Sequence, residues 1–385
     1  MSKAEEGLNV AGSVPAALSG VPAASDRMIA GDAFRCDVSD LDTHSLIWLN
    51  GRLPENLAGR REGLPWQVYR ESDHTLVVRV EEGVVVDKPL QIIVLCKREA
   101  ESGNKDTGLD LALSLRVELG RGAHLTVVHC IDSDRETEAS VQGAVRLELA
   151  PAARLSWLSL QNINNRCRVE NSLRADVAAG AGLHTCFCSL NGGLLQNEQR
   201  IDLNGVQAEA SALGLYLVDG TQKVYNKVKI NHNSPEAHSR QLFKGILDDS
   251  ASGRFEGHVF VANGAQKTEA YQTNRNLLLT KKAKFQTKPY LEIYADDVKC
   301  SHGATIGQLD EKALFYMRCR GISQTTARRL LMYAFAAEVI REIGVVPLEE
   351  HLTRLVQRRL RGELNACEDC ALHCTATKAC ANLPW

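Results

Sequence analysis

At 385 residues the chain can hold two or three domains and bury a large core. Its 45 basic residues nearly balance 47 acidic ones, for a formal net charge of −2, which excludes nucleic acid or another polyanion as a whole-chain partner. No apolar run reaches the length of a membrane span, and Met1-Ser2-Lys3-Ala4-Glu5-Glu6 does not lead into a signal-peptide core, so a cytoplasmic chain with no membrane partner is expected.

Residues 1–33 are rich in Ala, Ser, Gly and Pro with little periodicity, and read as a flexible lead-in. A small N-terminal region follows over residues 34–74, with Leu46-Ile47-Trp48-Leu49 as a strand and Asn50-Gly51 as a tight turn. From residue 75 to 306 the texture is β. Val145, Leu147 and Leu149 alternate with Arg146 and Glu148, and Val224, Val228 and Ile230 alternate with Lys223, Lys227 and Lys229. Cys186, Cys188 and Leu190 share one strand face, which places those two thiols in a core.

A repeat lies over this alternation. Gly120-Arg121-Gly122-Ala123-His124-Leu125, Ala150-Pro151-Ala152-Ala153-Arg154-Leu155 and Gly180-Ala181-Gly182-Leu183 are similar turn-then-strand units, with leucines at 125, 155 and 183. Arg254-Phe255 and Lys284-Phe285 repeat at the same interval. A fixed period of this size signals stacked coils, each burying its apolar face on the next. Two short strands and two turns per coil make a flattened parallel β-helix. A β-sandwich is the alternative, and the regular spacing weighs against it.

Beyond Gly307 the pattern turns helical over residues 307–364. Asp310 caps a helix ending at Gly321, Ser323 caps a second running to Ile343, and Pro347 opens a third. In the third, Leu348, Leu352, Leu355, Val356 and Leu360 form an apolar stripe opposite Arg354, Arg358 and Arg361. Residues 365–385 are a Cys-rich tail in which Cys367, Cys370, Cys374 and Cys380 surround His373. Four thiols suffice for a tetrahedral zinc or iron site, although the spacing matches no standard pattern, and a tail of free thiols is the equal alternative. The 12 cysteines of a cytoplasmic chain read as reduced thiols or ligands rather than as a disulfide framework.

Catalytic signals are weak. Gly264-Ala265-Gln266-Lys267-Thr268 has glutamine where a phosphate loop needs glycine before the lysine, so no nucleotide is expected to bind this chain. Asp248-Asp249 and Asp296-Asp297 are adjacent pairs; adjacent strand residues point to opposite faces, so neither doublet forms an acid–base pair. Cys300 and His302, two apart at the end of the strand Tyr290-Leu291-Glu292-Ile293-Tyr294, share a face as potential metal ligands if the backbone stays extended through them. Spacing alone favours a small buried thiol and a turn histidine.

The wider segment decides between these readings. Tyr294 to Gly307 reads YADDVKCSHGATIG, preceded by Thr273-Asn274-Arg275-Asn276-Leu277-Leu278-Leu279. It is followed by Phe315-Tyr316-Met317-Arg318-Cys319-Arg320-Gly321-Ile322 and Tyr333-Ala334-Phe335-Ala336-Ala337-Glu338. Across residues 215–345 the chain resembles the SufD family, accessory scaffold subunits of the SUF iron–sulfur cluster assembly machine. The resemblance implies a right-handed parallel β-helix and a non-catalytic subunit that pairs with a SufB-type paralogue. It further implies that the C-terminal helices, here 308–343, bind a SufC-type ATPase, and that a transient iron–sulfur cluster forms at the partner interface. Cys300 and His302 match the family's positions there, His302 as an iron ligand and Cys300 as thiolate ligand or sulfur acceptor. A homodimer is also compatible. Members carry a longer helical N-terminal region, which this chain shortens. Two rival readings are a SufB-like core scaffold subunit, which shares the fold, and a β-helix carbohydrate-active enzyme. The latter needs clustered carboxylates and aromatic platforms, and aromatics are only 5% of the chain.

Overall fold

The computed structural model describes residues 43–361 except 54–56, 58–61, 98–107 and 135. The lead-in over 1–33 and the tail cysteines Cys367, Cys370, Cys374 and Cys380 lie outside the described residues.

Among the described residues eighteen strands follow in order: β1 (His44–Leu49), β2 (Trp66–Ser72), β3 (Thr75–Val80), β4 (Leu90–Cys96), β5 (Leu109–Leu119), β6 (His124–Ser133), β7 (Ala139–Leu149), β8 (Arg154–Asn162), β9 (Arg168–Val177), β10 (Gly182–Asn191), β11 (Leu194–Leu203), β12 (Glu209–Val218), β13 (Lys223–His232), β14 (His238–Leu247), β15 (Ser252–Val261), β16 (Thr268–Leu278), β17 (Lys284–Ile293) and β18 (Val298–Gly307). From β3 onward, successive strands fall alternately into two sheets. One sheet, A, has the order β1-β4-β6-β8-β10-β12-β14-β16-β18; the other, B, has β17-β15-β13-β11-β9-β7-β5-β3-β2. Every neighbouring pair is parallel except β2 (Trp66–Ser72) with β3 (Thr75–Val80). This is a flattened parallel β-solenoid, mainly β as the repeat implies.

Stacking follows from the alternation. The inward residues of consecutive coils fall in register, so Leu125, Leu155 and Leu183 form one column, each at most 3% exposed. Outward positions carry charge. Arg116, Arg146, Arg174, Arg200 and Lys229 line up across sheet B beside a row of acids, Glu118, Glu148, Asp176 and Asp202. Stacking like charges one rung apart is unfavourable. The neighbouring row offsets it through pairs such as Arg146–Glu148 at 2.6 Å and Arg200–Asp202 at 2.9 Å.

The corners repeat as strictly as the strands. Gly122, Ala152, Gly180, Gln207, Glu236 and Lys267 occupy the same corner with φ between 57° and 65°. Each donates its backbone N–H to the matching corner of the next coil, as from Ala152 to Ala179 O at 2.9 Å. Side-chain-bearing residues are strained in this left-handed region, and the inter-coil bond holds them there. The Gly264–Thr268 segment is one such corner. It leads into strand β16 (Thr268–Leu278) rather than a helix, and Lys267 Nζ lies 3.5 Å from Glu236. Asp248 and Asp249 also serve a corner, accepting from the backbone N–H groups of Asp249 and Gly220.

One part of the repeat is corrected. Arg254-Phe255 and Lys284-Phe285 are not equivalent rungs: Phe285 pairs with Gly253, two residues earlier. Gly253 leaves the space for the Phe285 ring, because a Cβ there would lie 2.5 Å from it. The ring stacks on Tyr216, centroids 5.7 Å apart.

Three helices follow: α1 (Glu311–Cys319), α2 (Gln324–Ile340) and α3 (Val346–Leu360). Asp310 caps α1 by accepting from Lys312 N and Ala313 N, and Ser323 caps α2 by accepting from Thr326 N. Helices α2 and α3 cover the outer face of sheet A and create a second core. There Met332, Val339, Ile340 and the stripe Leu348, Leu352, Leu355, Val356 and Leu360 meet Leu158, Cys186, Cys188 and Leu213. Arg359, on the inner side of α3, is fully buried: its Nε donates to Leu190 O at 2.7 Å and it pairs with Asp219 at 3.0 Å. Lys244 of β14 (His238–Leu247) tethers α2 through Phe335 O, Glu338 and a position 4.3 Å over the Phe335 ring. Burial holds the Lys244 ammonium below its ordinary pKa, and Glu338 works against that.

Candidate functional site at the open end of the solenoid

The last two strands, β17 (Lys284–Ile293) and β18, are edge strands, and no described strand lies beyond either. Position in the stack sets the environment of their side chains. On β16 the inward residues Ala270, Gln272, Asn274 and Asn276 are at most 2% exposed. Their register partners one rung later are Cys300, His302, Ala304 and Ile306. Those four therefore point along the interior face of a rung that no described strand covers. His302, Ala304 and Ile306 are exposed, and Cys300 is half-buried against a small cluster of Val259, Val261 and Ala270. The two residues do share a face, and it is the inner one.

Around this mouth stand exposed apolar groups: Ile306 and Ile293 on the inner side, Tyr290 on the outer side of β17, Tyr271 on the outer side of β16, and Tyr294 just beyond β17. Tyr294 donates to Glu292 at 2.9 Å, and Glu292 also faces His258 Nε2 at 3.0 Å. A bare apolar rung of this kind marks an interaction surface. The two edges differ. Pro289 sits in β17 without disturbing its pairing with β15, so its missing N–H faces the free side and blunts that edge. Strand β18 has no proline, and the backbone groups of its alternate residues, those turned away from β16, stand open over ten residues.

Burial raises the pKa of the Cys300 thiol, only partly opposed by a hydrogen bond from the Ala270 backbone. Alone, the thiol is therefore not an activated nucleophile; a metal ion or a cation brought to the mouth would be needed to hold the thiolate. Among the described residues no three or more His, Cys, Asp or Glu side chains converge to hold a metal. Cys300 and His302 thus supply at most two donors, and a complete set needs donors from another body.

A second exposed surface lies on α1. The segment Tyr333-Ala334-Phe335-Ala336-Ala337 of α2 carries more apolar surface than one packing face needs, yet the structure absorbs most of it. Ala336 and Ala337 are buried, and Tyr333 and Phe335 pack against the second core. Helix α1 instead buries none of its residues and exposes Phe315 and Tyr316 at 69% and 60%. Sequence pattern did not separate the two helices, because the distinction depends on which of them reaches the sheet. Arg359 was likewise overlooked; the available signal was a basic residue set inside the stripe between Val356 and Leu360.

The comparisons agree with this architecture. Residues 104–335 match the family described as SUF system FeS cluster assembly, SufBD core domain. The chain is 34% identical over 350 residues to the iron–sulfur cluster assembly protein SufD of Escherichia coli, covering 84% of this chain and 80% of that protein. It is 30% identical over 172 residues to SufD of Bacillus subtilis, covering 45% and 39% of the two chains. It is also 44% identical over 133 residues to the chloroplastic protein ABCI7 of Arabidopsis thaliana, covering 34% and 28%. The solenoid and these likenesses together establish that the chain belongs to the SufBD family of the SUF iron–sulfur cluster assembly system and is of the SufD type.

Proposed function

We propose that this chain is a non-catalytic scaffold subunit whose bare last rung pairs with a SufB-type paralogue, and that an iron–sulfur cluster is assembled across that junction. The observation that carries the reading is the open end: one uncovered rung places Cys300 and His302 on its inner face beside exposed apolar side chains. A partner strand laid along β18 would satisfy its free backbone groups, and its own donors would complete the ligand set. The cluster is cargo, built and passed on. His302 serves as an iron ligand through a neutral ring nitrogen, and Cys300 ligates or accepts sulfur once a metal or cation lowers its pKa.

Helix α1 is the dock for a SufC-type ATPase, with Phe315 and Tyr316 as anchors. Only Leu314 of α1 packs against the second core, while Phe315 and Tyr316 stand exposed, so a partner there meets exposed rings without disturbing the solenoid. The ATPase supplies the nucleotide chemistry.

The test is co-expression with the paralogue and the ATPase, followed by iron and acid-labile sulfide analysis of the purified complex. His302→Ala should lower cluster content at least several-fold while melting and subunit recovery stay near the parent's. A His302→Ala complex that assembles clusters as well as the parent sinks the ligand assignment. Phe315→Ser with Tyr316→Ser should release the ATPase alone; retention of it by that variant removes α1 as the dock.

A further inference from the structure

One rung inside His302, its register partner Gln272 lies in an arrangement that the packing of the solenoid does not require. The side chain is 2% exposed and crosses the interior to sheet B, where Gly257 makes room for it. A Cβ on Gly257 would lie 2.0 Å from Gln272 Nε2. That nitrogen donates to Gln241 Oε1 at 2.9 Å, one rung deeper. Gln272 Oε1 is buried and has no hydrogen-bond partner among the described residues.

Side-chain amides stacked along parallel strands donate to one neighbour and accept from the other. Here the donor side is used toward the interior. The acceptor side is left for the next rung, and the residue in register there is His302. A buried carbonyl oxygen without a donor is unfavourable; Gln241 Nε2 on the inner side also lacks a partner, but that amide already engages Gln272 through its oxygen, and on the open side the complement in register is the imidazole N–H of His302.

We propose that Gln272 is a positioning residue for His302: once the open end is covered, Gln272 Oε1 accepts the N–H of the nearer ring nitrogen and turns the other nitrogen's lone pair toward the partner. The proposal rests on the reading of His302 as a ligand and deepens it by assigning what orients the ring. A neutral imidazole has one donor and one acceptor nitrogen, and a fixed acceptor for the donor selects the tautomer. Without it, the exposed ring divides its population between tautomers and orientations, and only a fraction presents a lone pair outward. Groups in this supporting position change metal affinity by about 10- to 100-fold when lost.

The experiment compares cluster retention under a chelator challenge in complexes carrying His302→Ala, Gln272→Met, Gln272→Glu or Gln241→Met, with melting of each full-length single chain. Gln272→Met keeps the length and removes the acceptor, and should weaken retention about tenfold or more. Gln272→Glu keeps an acceptor oxygen, and the Gln241 amide can turn its unpartnered Nε2 toward it, so retention should stay within about threefold of the parent. Gln241→Met removes a comparable interior amide one rung deeper, and should change retention less than about twofold while lowering melting like Gln272→Met. Should Gln272→Met fail to fold, Gly257→Ala displaces the carboxamide without deleting it and should reproduce the loss. Equal retention in Gln272→Met and Gln241→Met, with His302→Ala defective, overturns the proposal and leaves the ligand reading standing. A His302→Ala complex with unchanged retention overturns both.

Discussion

Where the solenoid begins, β2 folds back antiparallel on β3 and buries Trp66 and Tyr69, while β1 closes sheet A with Trp48 at 1% exposure. Where it finishes, β17 and β18 continue the parallel stack and then stop, leaving Cys300, His302, Ala304 and Ile306 on a face that was fully covered one rung earlier. The strands at the two ends follow one alternating pattern; what differs is whether described residues cover their inner faces. A stacked fold must terminate its column somewhere, and a sealed termination serves stability. A bare one brings an unfinished core, an open edge and the Cys300 and His302 side chains together, and under the proposed function that is the surface a second solenoid completes.

The largest expected effect tests the sealed end. Trp48→Ala should cost about 3–5 kcal/mol in chemical denaturation, because a fully buried indole is replaced by a cavity. Ile306→Ala in the isolated chain should stay within about 0.5 kcal/mol of the parent, since its side chain already meets solvent. Comparable losses from both would erase the contrast between the ends.

The second test concerns what holds the helices beside the open end. Arg359→Ala leaves Asp219 buried opposite a void and should cost about 3–5 kcal/mol, with earlier proteolytic cleavage in α3. Arg359→Met combined with Asp219→Leu removes both charges and should recover most of that loss. A double variant no better than the single would mean that the guanidinium acts chiefly through Leu190 O.

Much of this contrast was legible in the sequence, but not the part that leaves the end open. The leucines at 125, 155 and 183 announced a column because inward residues recur once per coil and corners tolerate few residue types. The same logic misaligned Phe255 with Phe285, because residues inserted before β17 shift the register and only Gly253, opposite the ring, reveals it. That Cys300 and His302 share a face followed from strand period alone. That this face is the interior one, and uncovered by any described strand, depends on stacking order, which no local pattern encodes. Gln272 escaped notice for the same reason: its importance lies in a rung-to-rung neighbour thirty residues away.

A smaller effect comes from histidines sealed within the stack. Burial lowers the pKa of His129 and His232 to about 4, with the charge on His238 a further cause for His232. An unfolded histidine titrates near 6.5, so between about 4 and 6.5 the unfolded chain takes up protons that the folded chain refuses. Stability should be fully present above pH 6.5 and fall as pH drops toward 4, by about 1.4 kcal/mol per pH unit for each histidine. Urea denaturation across that window should show a shallower slope for His129→Leu. A slope unchanged in that variant would show that His129 does not carry its share.

The smallest change in the isolated chain is expected at the open edge itself. Thr305 lies on the outward side of β18, with Ile306 beside it on the inner side. Thr305→Pro removes one backbone donor from the strand, and Ile306→Lys puts a charge into the unfinished core. Ile306→Lys is the cleaner probe, because Thr305→Pro can also break a ladder bond to β16. In the single chain the new ammonium remains in water, so the denaturation midpoint should not move measurably. In an assembly the same ammonium would be taken out of water against apolar side chains, and association should weaken at least tenfold. Sedimentation of Ile306→Lys with the paralogue reads one effect, and denaturation of the single chain reads the other. Association at parental strength would show that the partner does not seat on this rung. A lowered midpoint in the single chain would show that Ile306 is already covered.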